Sequence, residues 1–168
     1  SDYQTGPRPV PDRRWGFSAY GALAYRETIT IGGPRYPVYQ ASVALLYHIR
    51  KYNHLMIGLE HEFNQGIYRF AQHVFAFETE QEARQGARRW MLFVADEILL
   101  GRIAVLFSAG VYLNGDAYLK PFFLYNRLGI RYYLPEIKPL KSSVYAGVYL
   151  KSHKSVAEYI SFGLGFRY

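Results

Sequence analysis

Apolar and polar residues alternate with period two through nearly the whole chain. From Tyr39 one face reads Tyr39, Ala41, Val43, Leu45, Tyr47 and Ile49; the other reads Gln40, Ser42, Ala44, Leu46, His48 and Arg50. The next segment divides the same way, with Leu55, Ile57, Leu59, His61 and Phe63 against Met56, Gly58, Glu60, Glu62 and Asn64. Further on, Phe122, Leu124, Leu128, Ile130, Tyr132 and Leu134 oppose Tyr125, Arg127, Gly129, Arg131 and Tyr133. Successive side chains of a strand point to opposite faces, so each segment offers one apolar and one polar side. Eight such segments recur, at 15–26, 38–50, 54–65, 87–100, 102–113, 119–134, 143–153 and 158–168. They predict an all-β fold: an eight-stranded antiparallel up-and-down transmembrane β-barrel over 15–168, with 1–14 as a periplasmic N-terminal segment.

The connections orient this barrel. Lys51-Tyr52-Asn53 and Gly101 read as tight turns, as expected on a periplasmic side. Residues 27–37, 66–86 and 114–118 are longer or richer in Gly, Pro and charge, as expected outside. The connection 135–142 is long for a periplasmic turn.

Parity separates two faces without saying which is outermost, and a soluble barrel around an apolar ligand would alternate equally well. Two features favour a membrane. The polar face mixes Gly, Ser and Ala with charges of both signs, which suits a narrow lumen of paired ions better than a solvated exterior. The chain also ends Ile160-Ser161-Phe162-Gly163-Leu164-Gly165-Phe166-Arg167-Tyr168, alternating and aromatic to its last residue, like the terminal strand that outer-membrane assembly reads. About ten residues tilted near 45° span roughly 25 Å, the height of a lipid-facing band. The lumen is then expected to hold His48, Arg50, Glu60, Glu62, Arg127, Arg131, Lys151 and Arg167, with His48 paired to a carboxylate. A barrel of this size fills with its own side chains and makes a poor pore.

Composition agrees. Aromatic residues make up 18% of the chain and include 17 Tyr, a residue that collects where an apolar body meets a wet edge. No run approaches the eighteen or so apolar residues of a membrane helix. The formal charge of +7 suits an anionic membrane surface or a carboxylate-bearing lumen; without a basic helix or an RNA-binding sheet signature, nucleic acid is not an expected partner. Ser1 to Pro11 reads as the start of a mature chain after loss of an export signal, and the expected location is the outer membrane of a Gram-negative bacterium. Cysteine is absent, which removes disulfides and thiolate metal sites. His61 and His73 with Glu60 or Glu62 match no metal-ligand spacing, so neither a metal nor a cofactor is expected. Asp96-Glu97 puts one carboxylate on each face of the fourth strand.

The residues that carry chemistry stand in the last hairpin. His153 and Ser155 are two apart, and Glu158 follows across a short turn. Serine, histidine and a carboxylate are the parts of an acyl-transfer site: nucleophile, general base, and the group that orients the imidazole. The same residues also suit a polar strand end meeting water, with Glu158 paired to a neighbouring lysine.

At this hairpin the chain resembles the outer-membrane lipid A 3-O-deacylases, the acyloxyacyl-hydrolase-like eight-stranded barrels. In that family a His-x-Ser pair lies late in the seventh strand, and a glutamate begins the eighth about ten residues before the C-terminus. His153-Lys154-Ser155 and Glu158 match that pattern here. In strand count and loop order the resemblance covers most of the chain; in motif it covers Tyr125-Asn126-Arg127-Leu128-Gly129 onward. It implies hydrolysis of an ester-linked acyl chain of lipopolysaccharide, with Ser155 as nucleophile, His153 as base, Glu158 as orienting acid, and no cofactor. Lipid A and membrane lipids are the implied partners, and Arg84, Arg88 and Arg89 are expected to attract lipid phosphates. Val156 stands where the family has an asparagine that helps form the oxyanion hole, and the last loop is shorter than the family's. Counting back from Tyr168 puts Glu158 with the lipid-facing Ile160, Phe162, Leu164 and Phe166, whereas His153 counts inward. A bulge near Lys151-Ser152 is needed to bring the two together. A different reading is a non-catalytic barrel, an accessory subunit of a larger outer-membrane complex. There 66–86, with Tyr68, Phe70, Phe75, Phe77, Glu78, Glu80, Glu82 and Arg84, would dock a protein partner.

Overall fold

The computed structural model describes residues 14–27, 33–73, 79–114, 123–135, 142–153 and 156–168. Eight strands follow one another in chain order: β1 (Trp15–Glu27), β2 (Arg35–Arg50), β3 (Asn53–Asn64), β4 (Arg88–Leu100), β5 (Ile103–Tyr112), β6 (Leu124–Tyr133), β7 (Ser143–His153) and β8 (Val156–Arg167). Each pairs antiparallel with the next, and β8 returns to β1, closing the barrel. Mutual backbone hydrogen bonds of 2.9 Å between Phe17 and Tyr168 extend that seam. One end carries the tight turns at Lys51-Tyr52 and Gly101-Arg102, the second made possible by Gly101 at φ 71°. The other end carries two helices between β3 and β4, α1 (Gln65–His73) and α2 (Glu80–Gly86). They lie in the excursion expected from the sequence as a long outward connection over 66–86.

The faces divide as the alternation demands. Leu45, Ile57, Val94, Phe107, Ile130, Val148 and Phe162 are exposed on the outer wall, while Glu60, Glu62, Glu97, Arg127, Arg131 and Lys151 are buried inside. A water-soluble protein does not leave an apolar band on every strand and hide its charges. The chain is a transmembrane β-barrel. Among the described residues no helix is long and apolar enough to cross a membrane, so the strands do the crossing.

The lumen is packed solid in layers. Near the tight turns, Glu97 takes Arg131 at 3.0 Å, His54 at 3.1 Å, the Tyr133 hydroxyl at 2.7 Å and Arg167 at 3.5 Å. Further up, Glu60 bonds Arg127, the Tyr20 hydroxyl and Gln40. Higher still, Glu62 accepts from Lys151 and Tyr159, each at 2.5 Å. Aromatic rings fill the space between ions: Tyr20 stacks on Tyr149 with centroids 5.3 Å apart, and Arg131 lies over Tyr145 at 4.6 Å. Such charges are tolerated in a lumen because each finds a partner.

Two lumen expectations need correction. Arg50 is exposed rather than inside, because the β2–β3 ladder shifts register between His48 and Arg50 and leaves it at the rim. His48 does not hold the expected carboxylate; His54 takes Glu97, and His48 packs edge-on against His54 at 4.3 Å. Of the Asp96-Glu97 pair, Glu97 is the buried one, and the outward Asp96 accepts a hydrogen bond from Asn53 at 2.5 Å.

Lumen glycines make room for the rings. A Cβ at Gly129 would come within 2.5 Å of the Tyr149 ring, which Tyr20 and Arg131 hold in place. Gly129→Val is therefore expected to cost about 1–3 kcal/mol through overpacking. Urea unfolding of the barrel in lipid vesicles checks this, and an unchanged midpoint would show that the layer yields.

A mouth-side histidine–carboxylate pair and its family

The β7–β8 ladder brings the last hairpin's residues together through one irregularity. Lys151 pairs with Tyr159, but the next step pairs Ser152 with Ala157, so Glu158 is the extra residue of a bulge. The bulge falls at the step the parity problem pointed to, with its extra residue on β8. An extra residue re-aims its side chain. Glu158 is pulled off the lipid-facing column; its side chain is 6% exposed, among ionisable partners from three other strands, β1, β4 and β7.

His153 Nδ1 lies 3.0 Å from Glu158 Oε2, at ion-pair distance but off the line of an ideal hydrogen bond. The other carboxylate oxygen, Oε1, takes Arg26 at 2.6 Å and Arg89 at 3.5 Å. Arg89 also reaches Glu62 at 3.6 Å, which joins the pair to the Glu62–Lys151–Tyr159 layer below. On the far side of the imidazole, the Tyr112 hydroxyl is 2.7 Å from Nε2, and the two rings stack 14° from parallel. The histidine ring is thus fixed by a carboxylate on one nitrogen and a phenol on the other. A carboxylate on Nδ1 favours the tautomer whose Nε2 accepts a proton, and it stabilises the imidazolium that results.

Of the three residues the sequence singled out, His153 and Glu158 meet; Ser155 and Lys154 lie outside the described residues. Arg89, expected to face lipid phosphates, is instead buried within the site, because alternation along β4 sends Arg88 out and Arg89 in. Tyr112 and Arg26 were missed altogether. Their strands, β5 and β1, touch the hairpin only through closure of the barrel, so no spacing along the chain could reveal them. His61 points outward while Glu60 and Glu62 point inward, so these three do not converge on one point.

Fold and site together define a transmembrane β-barrel with a largely buried histidine–carboxylate pair at the long-loop mouth. Residues 13–168 match the family model described as acyloxyacyl hydrolase, C-terminal domain, and the chain belongs to that family. Solved structures of similar shape include one from the de novo design of transmembrane β-barrels, 11% identical, covering 91% of this chain and 93% of that one at a TM-score of 0.46. Another, a designed barrel solved by NMR in solution, is 10% identical and covers 94% of this chain and 98% of that one at a TM-score of 0.48. No curated protein matches the chain.

Proposed function

We propose that this barrel lies in a bacterial outer membrane and removes an ester-linked acyl chain from the lipid A of lipopolysaccharide. The observation that carries the reading, beside family membership, is the bulge that turns Glu158 to within 3.0 Å of His153 Nδ1. A strand bent to deliver one carboxylate to one imidazole is the arrangement a general base requires. In this reading Ser155 gives its proton to His153 Nε2 as its oxygen adds to the ester carbonyl. The sugar hydroxyl leaves with the proton returned by His153, and a water then repeats the relay and releases the fatty acid. The Tyr112 hydroxyl moves off Nε2 as Ser155 engages it. With Val156 in place of the family's asparagine, a side-chain oxyanion donor is missing at that position, an absence worth about 10²–10³ in rate.

A second reading has its own observation. Nε2 is held by Tyr112, and Glu158 is clamped by Arg26 and Arg89, so the same residues serve as a closing ion network. The barrel is then a non-catalytic subunit of an outer-membrane complex, docking a protein partner through its 66–86 excursion. Phe75, Phe77 and Glu78 of that excursion lie outside the described residues. Mass spectrometry of lipid A after incubation with the folded barrel separates the two. Loss of one hydroxyacyl group with the parent and not with Ser155→Ala supports hydrolysis; unchanged lipid A with both supports the subunit.

A further inference from the structure

Across the barrel from the histidine pair, the outer wall carries cations where a lipid-facing surface should have none. Two strands separate β3 and β4 from β7 and β8 on either route around the ring. His61 faces Trp90, and Phe63 faces Arg88, as cross-strand partners on the outward side of β3 and β4. The helices α1 and α2 overhang this pair of strands and supply Tyr68 and Arg84. Together His61, Phe63, Gln65, Tyr68, Arg84 and Arg88 line a cleft of about 500 Å³.

Its chemistry is lopsided. Arg84 rests over the Tyr68 ring at 5.9 Å and is steadied by Glu80 at 3.5 Å, a carboxylate that also accepts from the Tyr68 hydroxyl at 2.7 Å. Arg88 has no carboxylate within ion-pair distance among the described residues. Phe63 and His61 form the apolar and aromatic back wall, with Trp90 packed on His61 at 4.7 Å. Below, on the same outward columns, come the exposed Leu59, Ile57 and Leu55 of β3 and Leu92 and Val94 of β4, before Asn53 and Asp96 near the tight-turn end. An arginine facing lipid is destabilising toward the bilayer centre and nearly neutral only at the interface. The step from apolar wall to aromatic belt to arginine therefore marks the headgroup level. A ligand seated there meets guanidinium groups at its polar end and a greasy wall beneath.

We infer that this cleft is a binding site for the phosphate-bearing headgroup of an anionic lipid, with Arg84 and Arg88 on the phosphate and the acyl chains along β3 and β4. Guanidinium forks match phosphate oxygens in pairs, and the aromatic floor suits the headgroup–chain boundary. The site is separate from the hydrolytic one and does not depend on it. It anchors the barrel to anionic lipid on the wall opposite the hairpin.

The experiment is native mass spectrometry of the folded barrel in neutral detergent, with phosphatidic acid, phosphatidylcholine or inorganic phosphate as probes. Phosphatidic acid is expected to be retained at least ten-fold over phosphatidylcholine. The Arg84→Gln/Arg88→Gln double variant should lose at least ten-fold of that retention. Arg84→Lys/Arg88→Lys should recover part of it, and Ser155→Ala should keep all of it, so a failed hydrolysis assay leaves this result standing. Equal retention of the two lipids, or no loss in the glutamine variant, overturns the proposal. Displacement of phosphatidic acid by equimolar inorganic phosphate also overturns it, by assigning the cleft to free anions. Heat-dependent mobility on gels verifies that each variant is folded.

Discussion

Glu97→Ala is expected to lower the unfolding free energy of the barrel by about 3–5 kcal/mol, the largest stability loss expected from any single lumen residue. Glu97 is fully buried and serves four groups: Arg131, Arg167, His54 and the Tyr133 hydroxyl. Removing it leaves Arg131, only 3% exposed, without a charge partner in a site closed to water. The cost is the desolvation of that stranded cation more than the loss of attraction. Glu97→Gln should cost less, because the amide still accepts from Tyr133 and Arg131. Replacing both partners, as Glu97→Leu/Arg131→Met, should recover the part of the loss due to the stranded Arg131, while Arg167, His54 and the Tyr133 hydroxyl stay without the carboxylate. Equilibrium urea unfolding in vesicles, followed by tryptophan emission, measures all three. A loss of less than about 1 kcal/mol in the alanine variant would show that water reaches this layer.

The barrel was legible because its constraint is uniform. Every strand must present apolar side chains to lipid, so period two repeats along it regardless of local sequence. The paired lumen charges follow from the same parity, which turns Glu60, Glu62, Arg127, Arg131 and Lys151 all inward. Parity failed where the ladder breaks. Ile49 at the β2 end and Glu158 in β8 each absorb a register shift, and a shift depends on the partner strand and turn rather than on residue type. Helix α2 did leave a trace that the β reading passed over. Thr79 and Glu82 have capping-box spacing, and the Thr79 hydroxyl does accept from the Glu82 N–H at 3.3 Å. Of the candidate site, the sequence offered the hairpin residues and nothing of their setting. Arg26, Arg89 and Tyr112 reach Glu158 and His153 from strands 1, 4 and 5, which only the closed sheet brings to one mouth.

On the proposed function, Glu158→Gln is expected to lower lipid A hydrolysis by about 10³–10⁴-fold, with lipid binding unchanged. The carboxylate has two tasks at Nδ1, fixing the tautomer and balancing the imidazolium charge, and an amide performs neither. If the amide nitrogen faces His153, Nδ1 becomes the acceptor and Nε2 carries hydrogen, so the ring cannot take the serine proton. A fall of 10⁴ corresponds to about 5.5 kcal/mol in the barrier, more than the fold needs to lose for the same substitution. Arg89 keeps Glu62 at 3.6 Å, and Arg26 is one-third exposed, so the two arginines left by Glu158 are not both stranded. Arg26→Gln is the matching control, because it removes a partner of Glu158 while leaving the carboxylate on His153; its rate should stay within about ten-fold of the parent. Measured per folded barrel by mass spectrometry of lipid A, a large drop in Glu158→Gln with a small one in Arg26→Gln assigns the carboxylate to the imidazole. Equal drops in both would instead assign Glu158 to the ion network that closes the mouth.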